Sequence, residues 1–247
     1  MKNYLIRSLY QIKSPVWFRD RTDEGDIYDQ YMQMHEISLR TFEQHLQGDW
    51  EFVFFNKTVP DIQAVFKDHF FEIYDIWRQG YCNILYCGPD NAMMKPTQFF
   101  GKYEDFMMFN YTDPKSSTEA NHYGVQHSHF FNADVRYYPS TMSQDIWDMG
   151  LKMADNWDFN CWNTEQFILN KMLWDQPNRT LENTLDPLMA YQAHGVYPEQ
   201  LNRTIQHSNS WNGCDINDSY IIHCHGSRNA PQKLELMKIL EQASINN

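Results

Sequence analysis

Residues 84–96 read ILYCGPDNAMMKP. An apolar run, Ile84, Leu85, Tyr86 and Cys87, stops at Gly88-Pro89-Asp90-Asn91, and the chain turns apolar again at Met93 and Met94. A short, almost purely apolar run bounded by turn residues is the pattern of a strand covered on both faces. Gly-Pro-Asp-Asn is strong turn chemistry. A carboxylate at that point is either a turn residue or a ligand.

The segments on either side decide how the run is used. Residues 4–10 and 50–55 (WEFVFF) read as strands, and residues 105–111 and 130–138 (FFNADVRYY) as further strands. Residues 27–46 carry Ile27, Tyr31, Met34, Leu39, Phe42 and Leu46 at helical spacing. Pro60-Asp61 opens a second helical stretch that Gly80 stops. Residues 145–157, 165–174 and 230–243 read as helices, and residues 221–225 as a late strand. Residues 12–26 and 112–123 are polar and read as loops. Strand and helix alternate over the first part of the chain, which predicts an α/β, Rossmann-like fold: a mostly parallel central sheet flanked by helices. Such sheets take ligands at the carboxyl ends of their strands, where the strand order reverses. Asp90 stands at such an end.

The totals narrow the function. The 247 residues suit a single α/β domain, and 42% hydrophobic residues can fill its core. A net charge of −12 argues against nucleic acid as a partner, because phosphate backbones need a basic footprint. An anionic ligand would need a local cation instead. Five cysteines without a CxxC pair do not form a disulfide framework. There is no signal-peptide apolar core at the start and no stretch of ~18 apolar residues, so a cytoplasmic chain without a membrane span is the expectation. The 8 Trp, 15 Tyr and 16 Phe exceed what turns and surface need, and some could line a groove for a ring-shaped ligand.

Three further blocks carry polar groups in apolar surroundings. His223 and His225 in IIHCHG share one face of a strand, with Gly226 permitting close approach. Asn132 and Asp134 interrupt the apolar strand FFNADV and must hydrogen-bond something, either a core network or ligand hydroxyls. In WNTEQFILN, Asn163 or Thr164 can cap a helix whose first turn carries Glu165 and Gln166. An imidazole with a carboxylate suits a divalent ion such as Mn²⁺. His127 and His129 allow another arrangement, an all-histidine metal centre together with His223 and His225.

As an ordered set, these blocks resemble the GT-A-fold, nucleotide-sugar-dependent glycosyltransferases, closest to the retaining, family-8-like enzymes. YCGPDNAMMKP is similar to their Y-L-D-A-D-hydrophobic-K-P segment, NADV to their F-N-A-G-V strand, EQFILN to their D-Q-D-x-L-N helix start and HCHG to their late H-x-x-G. The resemblance spans roughly residues 80–230. It implies one domain, with residues 1–110 as the nucleotide-binding half and 111–247 as the acceptor half. It implies a sugar nucleotide donor, UDP-linked, a carbohydrate or glycoprotein acceptor and retention of configuration. Mn²⁺ or Mg²⁺ would be held by Asp90 and His223, with His225 as second choice. The first aspartate of the D-x-D is Gly88 here, which removes one charged ligand. Glu165 and Gln166 would act at the anomeric carbon. Ser8, Tyr10, Asn91, Asn132 and Ala133 would contact the donor, and Asp134 and Trp162 the sugar or acceptor. Trp147 and Trp211 are further candidates for sugar stacking. A scaffold of this kind that binds sugar or nucleotide without catalysis is the alternative.

Overall fold

The computed structural model describes residues 1–12, 27–112, 130–156, 164–177, 179–180, 190–192, 210–211, 214–215, 219–224 and 230–245. The expected loops at 12–26 and 112–123 therefore fall almost wholly outside the described residues, as do His127, His129, Trp162, Asn163, His225 and Gly226. Contacts divide the chain into two compact units that interleave in sequence. The first holds residues 1–16, 49–87 and 100–185, and the second holds 17–48, 88–99 and 186–247.

The first unit is built on a five-stranded sheet. Its strands, with the other described strands numbered in chain order, are β1 (Asn3–Ser8), β4 (Glu51–Phe55), β6 (Asn83–Cys87), β9 (Met107–Thr112) and β10 (Phe130–Tyr138), in spatial order β4-β1-β6-β10-β9. β1 pairs in parallel with both β4 and β6, while β10 is antiparallel to β6 and to β9. Four of the five strands thus run one way and β10 runs against them. β6 is buried at every residue, as its unbroken apolar run requires. The chain goes from β1 to β4 on one side and returns to β6 on the other. That reversal puts the switch in strand order at the carboxyl ends of β1 and β6.

Helices α2 (Ile62–Gly80), α3 (Gln144–Asn156) and α4 (Thr164–Trp174) belong to this unit. Asp61 caps α2 by accepting the Ala64 N–H at 2.9 Å, and the left-handed Tyr81 closes it with an N–H to the Trp77 carbonyl at 2.8 Å. The core gathers Ile6, Ile84, Phe70, Trp77, Tyr138, Trp147, Phe167 and Met172. Trp147 is fully buried and stacks on Tyr138 at 5.1 Å, so it is a core residue and has no face for a sugar. The spacing of α3 and α4 depends on Gly150. A β-carbon there would stand 2.5 Å from Met172 Sδ and 3.1 Å from Phe70 Cζ, both in fully enclosed side chains. Gly150→Ala is therefore expected to destabilise the fold by about 1–3 kcal/mol despite its better helix propensity. Urea denaturation checks this; an unchanged midpoint would show that Met172 swings aside freely.

The second unit is smaller in sheet. Strand β7 (Asn91–Met93) pairs antiparallel with β14 (Ile221–His223), which pairs in parallel with β11 (Ala190–Gln192). The other side of β7 meets helix α1 (Ile27–His45): Ser38 Oγ donates to the Asn91 carbonyl, and the Met93 N–H donates to Thr41 Oγ1 at 3.0 Å. Hydroxyls one helical turn apart thus satisfy an edge that a sheet neighbour would otherwise cover. Met34 and Ile37 of α1 pack with Ala92, Met94, Ile222 and the apolar face of α5 (Ala230–Ser244). Arg40 and Glu241 tie the two helices at 2.6 Å. No helix among the described residues is long and apolar enough to cross a membrane.

Candidate functional site

In the first unit, the carboxyl ends of β1 and β6 carry a linked set of polar side chains. Ser8 Oγ and the Tyr86 hydroxyl lie 3.1 Å apart. Tyr10, just past β1, donates its hydroxyl to Glu72 of α2, and Lys57 meets the same carboxylate at 2.5 Å. The Lys57 ammonium lies 5.6 Å from the Tyr10 ring centre. Burial, then Glu72, pushes the Tyr10 hydroxyl well above its ordinary range, so it stays a donor. The expected donor contacts Ser8 and Tyr10 thus lie close together and are engaged within the protein.

A second buried group lies beside Tyr86. Arg136 is 1% exposed, and its guanidinium sits 4.2 Å from the Tyr86 ring centre. It donates to Glu165 Oε1 at 2.7 Å and to the Ala133 carbonyl at 2.9 Å. His69 of α2 touches both charges, with Nδ1 3.0 Å from Glu165 Oε1 and Nε2 2.9 Å from the guanidinium. Burial, only partly opposed by Glu165, lowers the His69 pKa and keeps the ring neutral. A neutral ring meets both neighbours in one tautomer, donating from Nδ1 to Glu165 and accepting at Nε2 from Arg136.

Glu165 is 5% exposed. Burial acts to raise its pKa, but Arg136 and His69 outweigh burial and hold it at about 2. It is therefore a permanent anion at working pH and not a proton donor. A carboxyl lowered from 4.5 to about 2 adds stability that is fully present above pH 4.5 and lost as the pH falls toward 2. The loss is about 3 kcal/mol, and Glu165→Gln is expected to flatten that acid limb. Equal acid limbs in the two proteins would show that Glu165 is not what titrates.

Gln166 and Asn170 of α4 hold β10 in shape. The register of β10 against β9 shifts between Asn132 and Arg136. Gln166 Oε1 accepts the Ala133 N–H at 3.2 Å, and Asn170 accepts the Phe131 N–H and donates to the Phe131 carbonyl, both at 2.8 Å. Side-chain amides one helical turn apart thus replace ladder partners where the strand leaves its register. Asn132 and Ala133 lie in this bulge and Asp134 follows half-buried; the Asn132 side chain is outside the described residues.

In the second unit, Asp90 ends the turn before β7. Its carbonyl accepts the Cys224 N–H at 2.9 Å, extending the β7–β14 pairing by one residue. Its carboxylate, 4% exposed, meets the Lys233 ammonium at Oδ2 and lies 3.6 Å from His223 Nε2 at Oδ1. Burial opposes ionisation, but Lys233 first and His223 second hold the carboxyl below its ordinary range. Asn91 donates to the Gly88 carbonyl at 3.1 Å and shapes the turn. Lys233 escaped the sequence reading, although a signal was there. It shares the buried face of α5 with Ala230, Leu234, Leu236, Met237 and Leu240, where a charge is out of place without a partner.

Asp90 and His223 are spaced to share a divalent ion. His225 is outside the described residues.

The whole fold has a solved counterpart. A crystal structure of "a glycosyltransferase involved in the glycosylation of the major capsid of PBCV-1" aligns with 97% of this chain and 100% of its own, with a TM-score of 0.54 and 11% sequence identity. The fold is that of a glycosyltransferase. No protein-family model matches the sequence, and no curated protein does. In the glycosyltransferase fold of this chain, the Ser8–Tyr86 and Arg136–Glu165 groups belong to the first unit and the Asp90–Lys233 pair to the second.

Proposed function

We propose that this chain is a glycosyltransferase that moves a sugar from a nucleotide-diphosphate donor, UDP-linked, to a hydroxyl of a carbohydrate or glycoprotein acceptor, with retention of configuration. The observation that carries the reading is Asp90, buried and charged in the turn that follows the central parallel strand of a glycosyltransferase fold. That place in an open α/β sheet is where ligands bind. The roles follow the sequence resemblance. Asp90 and His223, with His225 as second choice, would hold the Mn²⁺ or Mg²⁺ that meets the diphosphate. Ser8, Tyr10, Asn91, Asn132 and Ala133 serve the rest of the donor, and Asp134 and Trp162 the sugar or acceptor. Glu165 and Gln166 act at the anomeric centre.

Charge is the chemical task. The leaving nucleoside diphosphate gains negative charge as the bond breaks, while the sugar becomes oxocarbenium-like. A fixed cation favours the first and a fixed anion the second. Glu165, ionised at every working pH and held rigidly by Arg136 and His69, has the character of such an anion. The acceptor hydroxyl needs only alignment, which holds the reacting atoms together.

The test is turnover. The chain is incubated with UDP-, GDP- and CDP-sugars, with and without an acceptor mixture, and release of the nucleoside diphosphate is followed. One UDP-sugar is expected to be consumed, slowly by water and faster with acceptor, and proton NMR of the product to show the donor's anomeric configuration. Inversion removes the family-8-like assignment. Binding of a sugar nucleotide without any turnover makes the chain a non-catalytic binder.

A further inference from the structure

Gly88 stands where the resemblance has the first aspartate of the metal-binding pair, so one carboxylate is missing from that strand. The neighbouring strand carries one at the matching position. β10 runs antiparallel to β6, with Arg136 opposite Tyr86 and Val135 opposite Cys87. One step further in the same register, Asp134 comes opposite Gly88. Directly opposed residues of an antiparallel pair send their side chains to the same face, so a carboxylate at 134 can do the work of one at 88. We propose that Asp134 supplies the second carboxylate of the divalent-ion site, in place of the one that Gly88 lacks, so that Asp90, Asp134 and His223 hold the ion together. What the ion serves there rests on the nucleotide-sugar reading.

Distance, charge and donor chemistry agree. One ligand atom from each of Asp90, Asp134 and His223 lies within 4.8 Å of the other two. Asp90 and His223 are buried and Asp134 is half-buried, so water competes weakly for the ion while one side stays open to a ligand. Lys233 lies against Asp90 Oδ2 and matches one negative charge. With Asp134 counted, two carboxylates face that single ammonium, and a dication meets net attraction. Without a cation, the two carboxylates would repel each other at this range. Two carboxylate oxygens and an imidazole nitrogen suit Mn²⁺ or Mg²⁺, and three protein ligands leave positions for phosphate oxygens and water. Asp134 is then a metal ligand and not a contact to the sugar or acceptor.

The test is binding of Mn²⁺ itself, read from the loss of the free-ion paramagnetic resonance signal, with and without UDP. The unaltered chain is expected to bind one Mn²⁺. Asp134→Asn keeps the shape of the side chain and is expected to weaken Mn²⁺ by about tenfold to a hundredfold. Adding Gly88→Asp to Asp134→Asn moves the carboxylate back across the strand pair and is expected to recover most of the affinity. Gly88 is not one of the positive-φ glycines among the described residues, so its backbone admits an aspartate. Thermal unfolding shows whether each variant is folded; if the double variant is not, Asp134→Asn decides by itself. Mn²⁺ affinity unchanged by Asp134→Asn overturns the proposal and leaves Asp134 to the sugar or acceptor. So does an unaltered chain that binds no Mn²⁺ with or without UDP. Mn²⁺ binding that depends on Asp134, in a chain that binds none of UDP, GDP and CDP, upholds the metal ligand and removes the nucleotide reading.

Discussion

Arg136→Met is expected to cost the folded chain about 3–5 kcal/mol, because it removes the only full positive charge that the buried Glu165 carboxylate touches among the described residues. The side chain itself packs well as methionine, so the loss comes from electrostatics and not from a cavity. Glu165 would keep a neutral His69 as its remaining partner. The acid limb then reverses. In the unaltered chain, Glu165 lies below its ordinary pKa, and stability falls as pH drops from 4.5 toward 2. Without Arg136, burial dominates and raises the carboxyl above 4.5, so acid relieves the variant as it protonates the group. Adding Glu165→Gln to Arg136→Met is expected to recover most of the loss, since it removes the unpaired charge. Urea denaturation of the four proteins across pH gives the coupling. A loss below about 1 kcal/mol, or additive effects, would show that solvent already screens the pair.

Lys233→Met is the second large effect, about 3–5 kcal/mol, for the same reason in the other unit: Asp90 is left charged and 4% exposed without its cation. The Asp90→Asn, Lys233→Met variant is expected to regain most of that stability, since asparagine can still accept from its neighbours and methionine suits the apolar face of α5. Thermal unfolding of the single and paired variants checks this. Equal instability of the single and paired variants would mean that Lys233 matters through its packing and not its charge.

Much of the scaffold was legible. The apolar run at 84–87 is a fully buried strand, 130–138 is a strand over its whole length, and Asp61 caps α2, which runs through Gly80 and is closed by Tyr81. The late strand ends at His223 in the described residues, so the shared face expected for His225 lies beyond them. The candidate site was less legible. Asp90 and His223 could be singled out, and they lie 3.6 Å apart. That Lys233 shares the carboxylate could not be read, because 143 residues separate them and no local pattern links the two. Glu165 stood out as a helix-start carboxylate, but its clasp by Arg136 and His69 depends on a strand and a second helix far along the chain.

The division follows the range of the forces. Strand and helix periods, caps and turns arise between residues a few positions apart, so the sequence by itself determined that this chain alternates strands and helices and ends its central strand on Gly-Pro-Asp-Asn. Three outcomes were decided only when the elements packed: the reversed direction of β10, the burial of Trp147 beneath Tyr138, and the charge balance at Asp90. Each depends on which distant surface a residue meets, and buried charges in particular take their state from neighbours that only the tertiary fold supplies.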